Sequence, residues 1–344
     1  MNLKLLKALS EVCGIPGREE QVRALVLKEL KSLCDTVTVD ALGNVIGRKK
    51  GKGPKVMVAG HMDEIGFVVK HIDDQGFLRL DPSGGFDPKT LIAQRVQVHA
   101  EGGPLLGIIG SKPVHILSEE DRKKPLELSH LFVDLGLPGD EVRKRVEVGD
   151  FVTLEQDLKP VGELLCGKAL DDRVGVYVMI EALRKLKKHQ ADVYAVATVQ
   201  EEVGLRGARV AGYGIDPDIG VALDVTVAAD VPGAQGHEHV TRLGGGAAIK
   251  VKDSSHIANP KLVAFFRQLA KKKKIPYQME VLPRGGTDAA GIQLARAGKA
   301  AITLSIPTRY LHSVVEAAHR DDVQACVDLL AAFLAEAHAC DTSL

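Results

Sequence analysis

Apolar and polar positions along this chain follow two different periods, and the switch between them divides it into three stretches. The opening Met1–Leu9 segment sets leucines among lysines at helical spacing. A second helix is predicted over about Arg18–Leu33, where Val22, Leu25, Val26, Leu30 and Leu33 share one face. Extended segments follow at Val37–Asp40, Asn44–Gly47 and Val56–Gly60, the last unbroken by any polar residue, as in a strand buried on both faces. From about Val69 to Pro160 short β-type runs take over: Gly76–Leu80, Arg95–His99, Leu105–Ile109, Leu131–Val133 and Phe151–Leu154. Turn signals such as Ser83-Gly84-Gly85 and Glu101-Gly102-Gly103-Pro104 separate them, and one short helix is predicted near Asp140–Arg145. After Leu164 helices and strands alternate: helix Arg173–Lys188, strand Val193–Val199, a helical turn, strand Ile219–Leu223, helices Pro260–Lys271 and Thr287–Arg296, strand Ala301–Ile306 and helix Asp321–Ala337.

Strands alternating with helices of this length pair largely in parallel, with helices on both faces. The expected fold is therefore α/β, a three-layer sandwich with a largely parallel central sheet, formed by residues 1–69 and 164–344. Residues 70–163 form an inserted β-rich domain, a small barrel or sandwich. The chain's 344 residues, 45% of them hydrophobic, suffice for a large core and an insert.

Charge removes several function classes. The 45 basic and 45 acidic side chains balance, so no electrostatic footprint for nucleic acid or an anionic membrane exists. Lys271-Lys272-Lys273-Lys274 is read as a solvated helix end favoured by the helix dipole. No apolar run approaches the roughly 20 residues that cross a bilayer. The lysines of the first segment break any signal-peptide core. Cys13, Cys34, Cys166, Cys326 and Cys340 are odd in number and lack metal-type spacing, which fits the reducing cytoplasm.

Six residues change the picture: His61, Asp171, Glu201, Glu202, Asp224 and His312. Each is placed at or just past the end of an apolar strand-like run, where an open α/β sheet gathers its chemistry. Taken singly they are ordinary. His61 with Asp63 is a histidine beside an acid, Asp171 and Asp172 before a helix are caps, and His312 is a turn histidine. Adjacent Glu201 and Glu202 at the end of a buried strand are harder to explain, because like charges repel there unless a cation lies between them. Jointly they complete a two-metal inventory. Asp171 bridges; His61 with Asp224 and Glu202 with His312 supply one imidazole and one carboxylate per ion; Glu201 is left as a general base on the water that the ions activate. Asp63, two residues from His61 and pointing the same way in an extended chain, is expected to accept from its second ring nitrogen. The mixture of nitrogen and oxygen ligands suits Zn²⁺, with Co²⁺ or Mn²⁺ as other occupants.

Six motifs occur in order: Gly60-His61-Met62-Asp63-Glu64, Ala169-Leu170-Asp171-Asp172-Arg173, Gln200-Glu201-Glu202-Val203-Gly204, Leu223-Asp224-Val225, Gly285-Gly286-Thr287-Asp288-Ala289 and Arg309-Tyr310-Leu311-His312-Ser313. In them the chain resembles the tetrahedral (TET) aminopeptidases, which include glutamyl and deblocking aminopeptidases and proteins once labelled endoglucanases. The resemblance runs from near the N-terminus past His312. It implies a co-catalytic zinc peptidase with a PDZ-like insert, a cis peptide between Asp171 and Asp172, and homo-oligomers that reach tetrahedral dodecamers. Leu243-Gly244-Gly245-Gly246-Ala247-Ala248 departs from the Gly-Lys-Gly-Pro type of sequence common in that family, a difference confined to one loop.

The expected function is a dinuclear aminopeptidase that removes N-terminal residues from peptides, with Glu201 as base and Thr287 and Asp288 as a candidate wall of the substrate pocket. The insert is expected to serve oligomerisation and substrate access. A metal-dependent amidase or deacylase on the same scaffold differs only in that pocket. A glycosidase would leave both histidines idle, and 4% aromatic residues with no Trp is poor for stacking sugars. A binding protein that kept the fold would have no use for a complete ligand set and base.

Overall fold

A computed structural model describes residues 1–344. Its larger part is an eleven-stranded sheet whose middle is parallel: Asp192–Thr198, Lys55–His61, Ile219–Val227 and Ala300–Arg309 lie side by side in that order. Antiparallel strands finish both flanks, Val45–Lys49 and Thr36–Val39 on one side, Glu316–His319, Leu164–Gly167 and Lys159–Val161 on the other. The parallel pairing read from the strand–helix alternation thus holds in the centre.

Lys55–His61 shows how one strand builds three layers. Val56 and Val58 enter the major core, beneath helices that include Leu170–Lys185 and Arg320–Glu336. Met57 and Ala59 point the opposite way, into a smaller core with Ala208, Ala211, Ile215 and Ile292. A fully buried valine of this kind contributes about 1.5–3 kcal/mol relative to exposure.

Several elements differ from those expected. Arg206–Ile215 is a full helix rather than a turn. Its three glycines cost about 1 kcal/mol each against alanine, but Ala208, Ala211 and Ile215 form an apolar stripe that packing rewards. Gly207 also permits close approach, since a Cβ there would stand 2.3 Å from Asn44 Oδ1. Ala247–Lys252 and Tyr277–Val281 are strands that extend the sheet beyond Ala300–Arg309. Their alternating polar residues, among them Lys250 and Glu280, hid them, and both side chains are nonetheless fully buried. The strand from Ile219 continues to Val227, so Asp224 lies inside it, opposite Ser305, and not at its end.

The insert is a closed six-stranded antiparallel barrel of Gly66–Ile72, Leu78–Ser83, Leu131–Asp134, Gly103–Ser111, Arg95–Ala100 and Phe151–Leu154. It has its own core, which includes Phe67, Val69, Leu78, Val96, Val98, Ile109 and Val152. Besides the expected Gly139–Arg145 helix it carries a second short one, Glu119–Lys123. No helix of the chain is long and apolar enough to cross a membrane.

The surroundings of two helical glycines, Gly175 in Leu170–Lys185 and Gly214 in Arg206–Ile215, make opposite predictions. Gly175→Ala sets a methyl 2.3 Å from Asp172 Oδ1 and is expected to lower stability by about 1–3 kcal/mol. Gly214→Ala meets nothing within 4 Å inside a helix and is expected to raise it by about 0.5–1 kcal/mol. Urea midpoints followed by circular dichroism check both; shifts of the same sign would refute the packing account.

Candidate metal centre

The parallel strands deliver their C-terminal ends to one crevice. His61 closes its strand, Glu201 and Glu202 follow Asp192–Thr198, and His312 lies on the loop after Ala300–Arg309. Asp171 comes from the far side, at the start of the Leu170–Lys185 helix. The loops turn sharply to do this: Ala169, Gln200, Tyr310 and His312 all have left-handed φ between 54° and 60°. A side chain with a Cβ adopts that region at a cost of order 1–3 kcal/mol. The Asp171–Asp172 peptide is cis, as the resemblance implied.

The structure brings all six predicted groups together. His61 Nε2 stands 3.0 Å from Asp171 Oδ1, while His312 Nε2 stands 3.3 Å from Asp171 Oδ2. The two oxygens of one carboxylate therefore face two different imidazoles. His312 Nε2 is also 3.5 Å from Glu202 Oε1, and His61 Nε2 is 3.9 Å from Glu201 Oε2. Donor atoms of His61, Asp171 and Asp224 lie within 4.8 Å of one another, as do those of Asp171, Glu202 and His312. The same spacing holds for His61, Glu201 and Glu202, so Glu201 stands close to both sets.

What holds these side chains is a set of buried carboxylates aimed at backbone amides. Asp63 was expected to accept from His61 through its side chain. Instead His61 Nδ1 meets the Asp63 carbonyl oxygen at 2.9 Å, and the carboxylate is 3.6 Å away. The strand ends at His61, so strand alternation no longer directs the residue after next. The Asp63 carboxylate accepts from Glu201 N at 3.0 Å and Glu202 N at 3.1 Å. Asp172 accepts from His61 N at 3.2 Å, and Glu19 from Gln200 N at 3.2 Å. Glu316 accepts from both Asp171 N and His312 N at 2.9 Å. Asp172, Glu19 and Glu316 were not given this part from sequence; Asp172 adjoins Asp171 and Glu316 lies four residues from His312, whereas Glu19 has no predicted ligand near it in the chain. Below the site Arg173, fully buried, donates to the carbonyls of Met62, Leu9, Val12 and Gly14. Lys168 donates to both oxygens of Glu64.

Electrostatics test whether divalent cations fit. Among the protein groups alone, burial and the Asp171 charge push Glu202 up to about 7. Burial likewise raises Glu201 and Asp224 well above the usual carboxylate range. Burial would lower His61, yet its hydrogen bond to Asp171 and nearby acids raise it well above normal; the same balance carries His312 to about 10. The cluster thus holds more acid than two imidazoles can offset, and pulls protons inward to compensate. Two dications among these oxygen and nitrogen donors would supply that charge, so the residues fit a co-catalytic pair.

Thr287 and Asp288 occupy a different position from an open pocket wall. Both are buried: Thr287 caps the helix Asp288–Gln293 and shares a hydrogen bond with Thr303, and Asp288 accepts from Thr198. The barrel, by contrast, reaches the crevice. A Cβ on Gly84 would lie 3.2 Å from Glu202 Oε2, and one on Gly85 would lie 3.3 Å from His312 Nδ1.

Comparison with known proteins shows the family. Residues 43–329 match the M42 glutamyl aminopeptidase family model. A lysyl aminopeptidase of Pyrococcus furiosus is 43% identical over 339 residues, covering 97% of this chain and 96% of the relative. The structure of an aminopeptidase from Desulfurococcus kamchatkensis superposes with a TM-score of 0.93 at 45% identity, covering 97% of this chain and 94% of that one. A TET peptidase of Pyrococcus horikoshii, described as assembling into a tetrahedron or a large octahedral shell, superposes with a TM-score of 0.86 at 34% identity, covering 97% and 99%. With most of its length matched and its strand ends carrying the acid and imidazole set, the chain belongs to the M42 glutamyl aminopeptidase family, hydrolases that act on peptide bonds.

Proposed function

We propose that this chain is a dinuclear metal-dependent aminopeptidase that removes residues from the free N-termini of peptides. The observation that carries the reading is Asp171, whose two oxygens face His61 on one side and His312 on the other. His61, Asp171 and Asp224 would hold one ion, and Asp171, Glu202 and His312 the other. Zn²⁺ is the expected occupant, with Co²⁺ or Mn²⁺ as alternatives. When bound, the ions polarise the scissile carbonyl, acidify the attacking water and stabilise the developing oxyanion.

The chain's own groups do the rest. Glu201 takes the water proton on its carboxylate and later returns it to the leaving amine. Its place supports this role, since its carboxylate stands close to donors of both ligand sets. Asp63, through the amides of Glu201 and Glu202, holds base and ligand at fixed spacing. The acid-rich wall favours the cationic α-amine of a peptide, which restricts cleavage to chain ends. The five cysteines are all free, which supports a cytoplasmic setting, and the likeness to the tetrahedral peptidase supports a homo-oligomer.

Two tests follow the chemistry. Glu201→Gln is expected to cut kcat about 10²–10⁴-fold while leaving two ions per chain, measured as free amino acids released from unblocked peptides beginning with acidic, basic and neutral residues. N-acetylated versions of the same peptides are expected to resist; comparable turnover would favour an amidase. Chelation is expected to abolish release, and Zn²⁺ or Co²⁺ to restore it. Activity that survives complete metal removal would sink the dinuclear reading.

A further inference from the structure

Glu316 stands outside the ligand set and outside the proton path, yet it is placed with unusual economy. It opens the strand Glu316–His319, where pairing with Gly167 fixes it beside the loop that leads into Asp171. The same strand pairs with the end of Ala300–Arg309, so the chain must double back through Tyr310 and His312, both at left-handed φ. Glu316 is 1% exposed, and each of its oxygens accepts one amide: Oε2 from Asp171 N, Oε1 from His312 N, both at 2.9 Å. These amides are 141 residues apart in the chain (312 − 171) and belong to two of the three donors of one cation set. The other set, His61, Asp171 and Asp224, shares only Asp171 with this clamp.

We propose, resting on the two-cation reading above, that Glu316 is a positioning residue that sets the affinity of the ion held by Asp171, Glu202 and His312 more strongly than that of its neighbour, with which it shares only Asp171. A single carboxylate fixes the distance between the bridging oxygen and the second imidazole, because it grips the backbone on which each side chain is mounted. A glutamine keeps the length but offers one acceptor, so one amide loses its partner. An aspartate keeps the charge but falls a methylene short of spanning both. Outer groups that orient ligands commonly change metal affinity by about 10–100-fold.

The test is Zn²⁺ and Co²⁺ titration of wild type, Glu316→Gln and Glu316→Asp by equilibrium dialysis, with circular dichroism on each. Wild type is expected to hold two ions. Both variants are expected to bind the ion of His61, Asp171 and Asp224 nearly as wild type does and the ion of Asp171, Glu202 and His312 about 10–100-fold more weakly, with visible Co²⁺ bands weakened chiefly for one site. If the glutamine variant lacks the native spectrum, the aspartate variant carries the test. Equal weakening of both sites, unchanged binding, or wild-type affinity in the aspartate variant would overturn the role of Glu316. A wild type that binds fewer than two ions would overturn the two-cation reading itself, and the proposal with it.

Discussion

Where a parallel strand stops, its last amides lose their ladder partners, and the architecture of this protein turns on how they are satisfied. A buried amide left alone is costly. Here the amides at and just past the strand ends, and that of Asp171 at a helix start, are taken by carboxylates: Asp63 for Glu201 and Glu202, Asp172 for His61, Glu19 for Gln200, Glu316 for Asp171 and His312. One requirement thus serves two ends. It closes the hydrogen-bond ledger of the sheet, and it aims the acid and imidazole side chains that follow the strands into one crevice.

The same choice loads the crevice with negative charge. Burial first, and then repulsion from neighbouring carboxylates, raises Asp172, Glu316, Glu201 and Asp224 well above ordinary carboxylates. Asp171, touched by both imidazoles, goes the other way and is held below the usual range despite its burial. The site is thus polarised from its centre outward, with the most acidic carboxylate in the position that faces both histidines. Positive charge is kept lower down, where Lys168 meets Glu64 and Arg173 gathers carbonyls from the first helix, the loop behind it and the end of Lys55–His61. That arrangement anchors the N-terminal segment to the floor of the site.

Much of this was legible in the residue order, and the exceptions have physical causes. The central parallel strands and the ligand positions could be read because burial on two faces leaves an unbroken apolar run, and because acids and imidazoles just after such runs stand out. Asp224 was identified but misplaced within its strand, since pairing with Ser305 and beyond overrides the polar residue that seems to end it. The direction of Asp63 could not be read, because strand alternation ceases at His61. Helix Arg206–Ile215 hid behind glycines whose cost is met by tertiary packing. Glu316 was invisible for a different reason: what it binds is backbone, which leaves no residue-type signature.

The two glycines at the mouth of the crevice carry a consequence for how the halves of the chain can diverge. An inserted module is ordinarily free to drift in sequence and in tilt, so long as its own core survives. Gly84 and Gly85 limit that freedom at one point, because a Cβ on Gly84 would stand 2.5 Å from Ile65 and 3.2 Å from Glu202, and one on Gly85 would stand 3.3 Å from His312. The barrel's remote turns can change at little cost, while this single turn is bound to the chemistry of a domain it does not belong to. A neighbour that grips the barrel would therefore be gripping a module that touches the crevice.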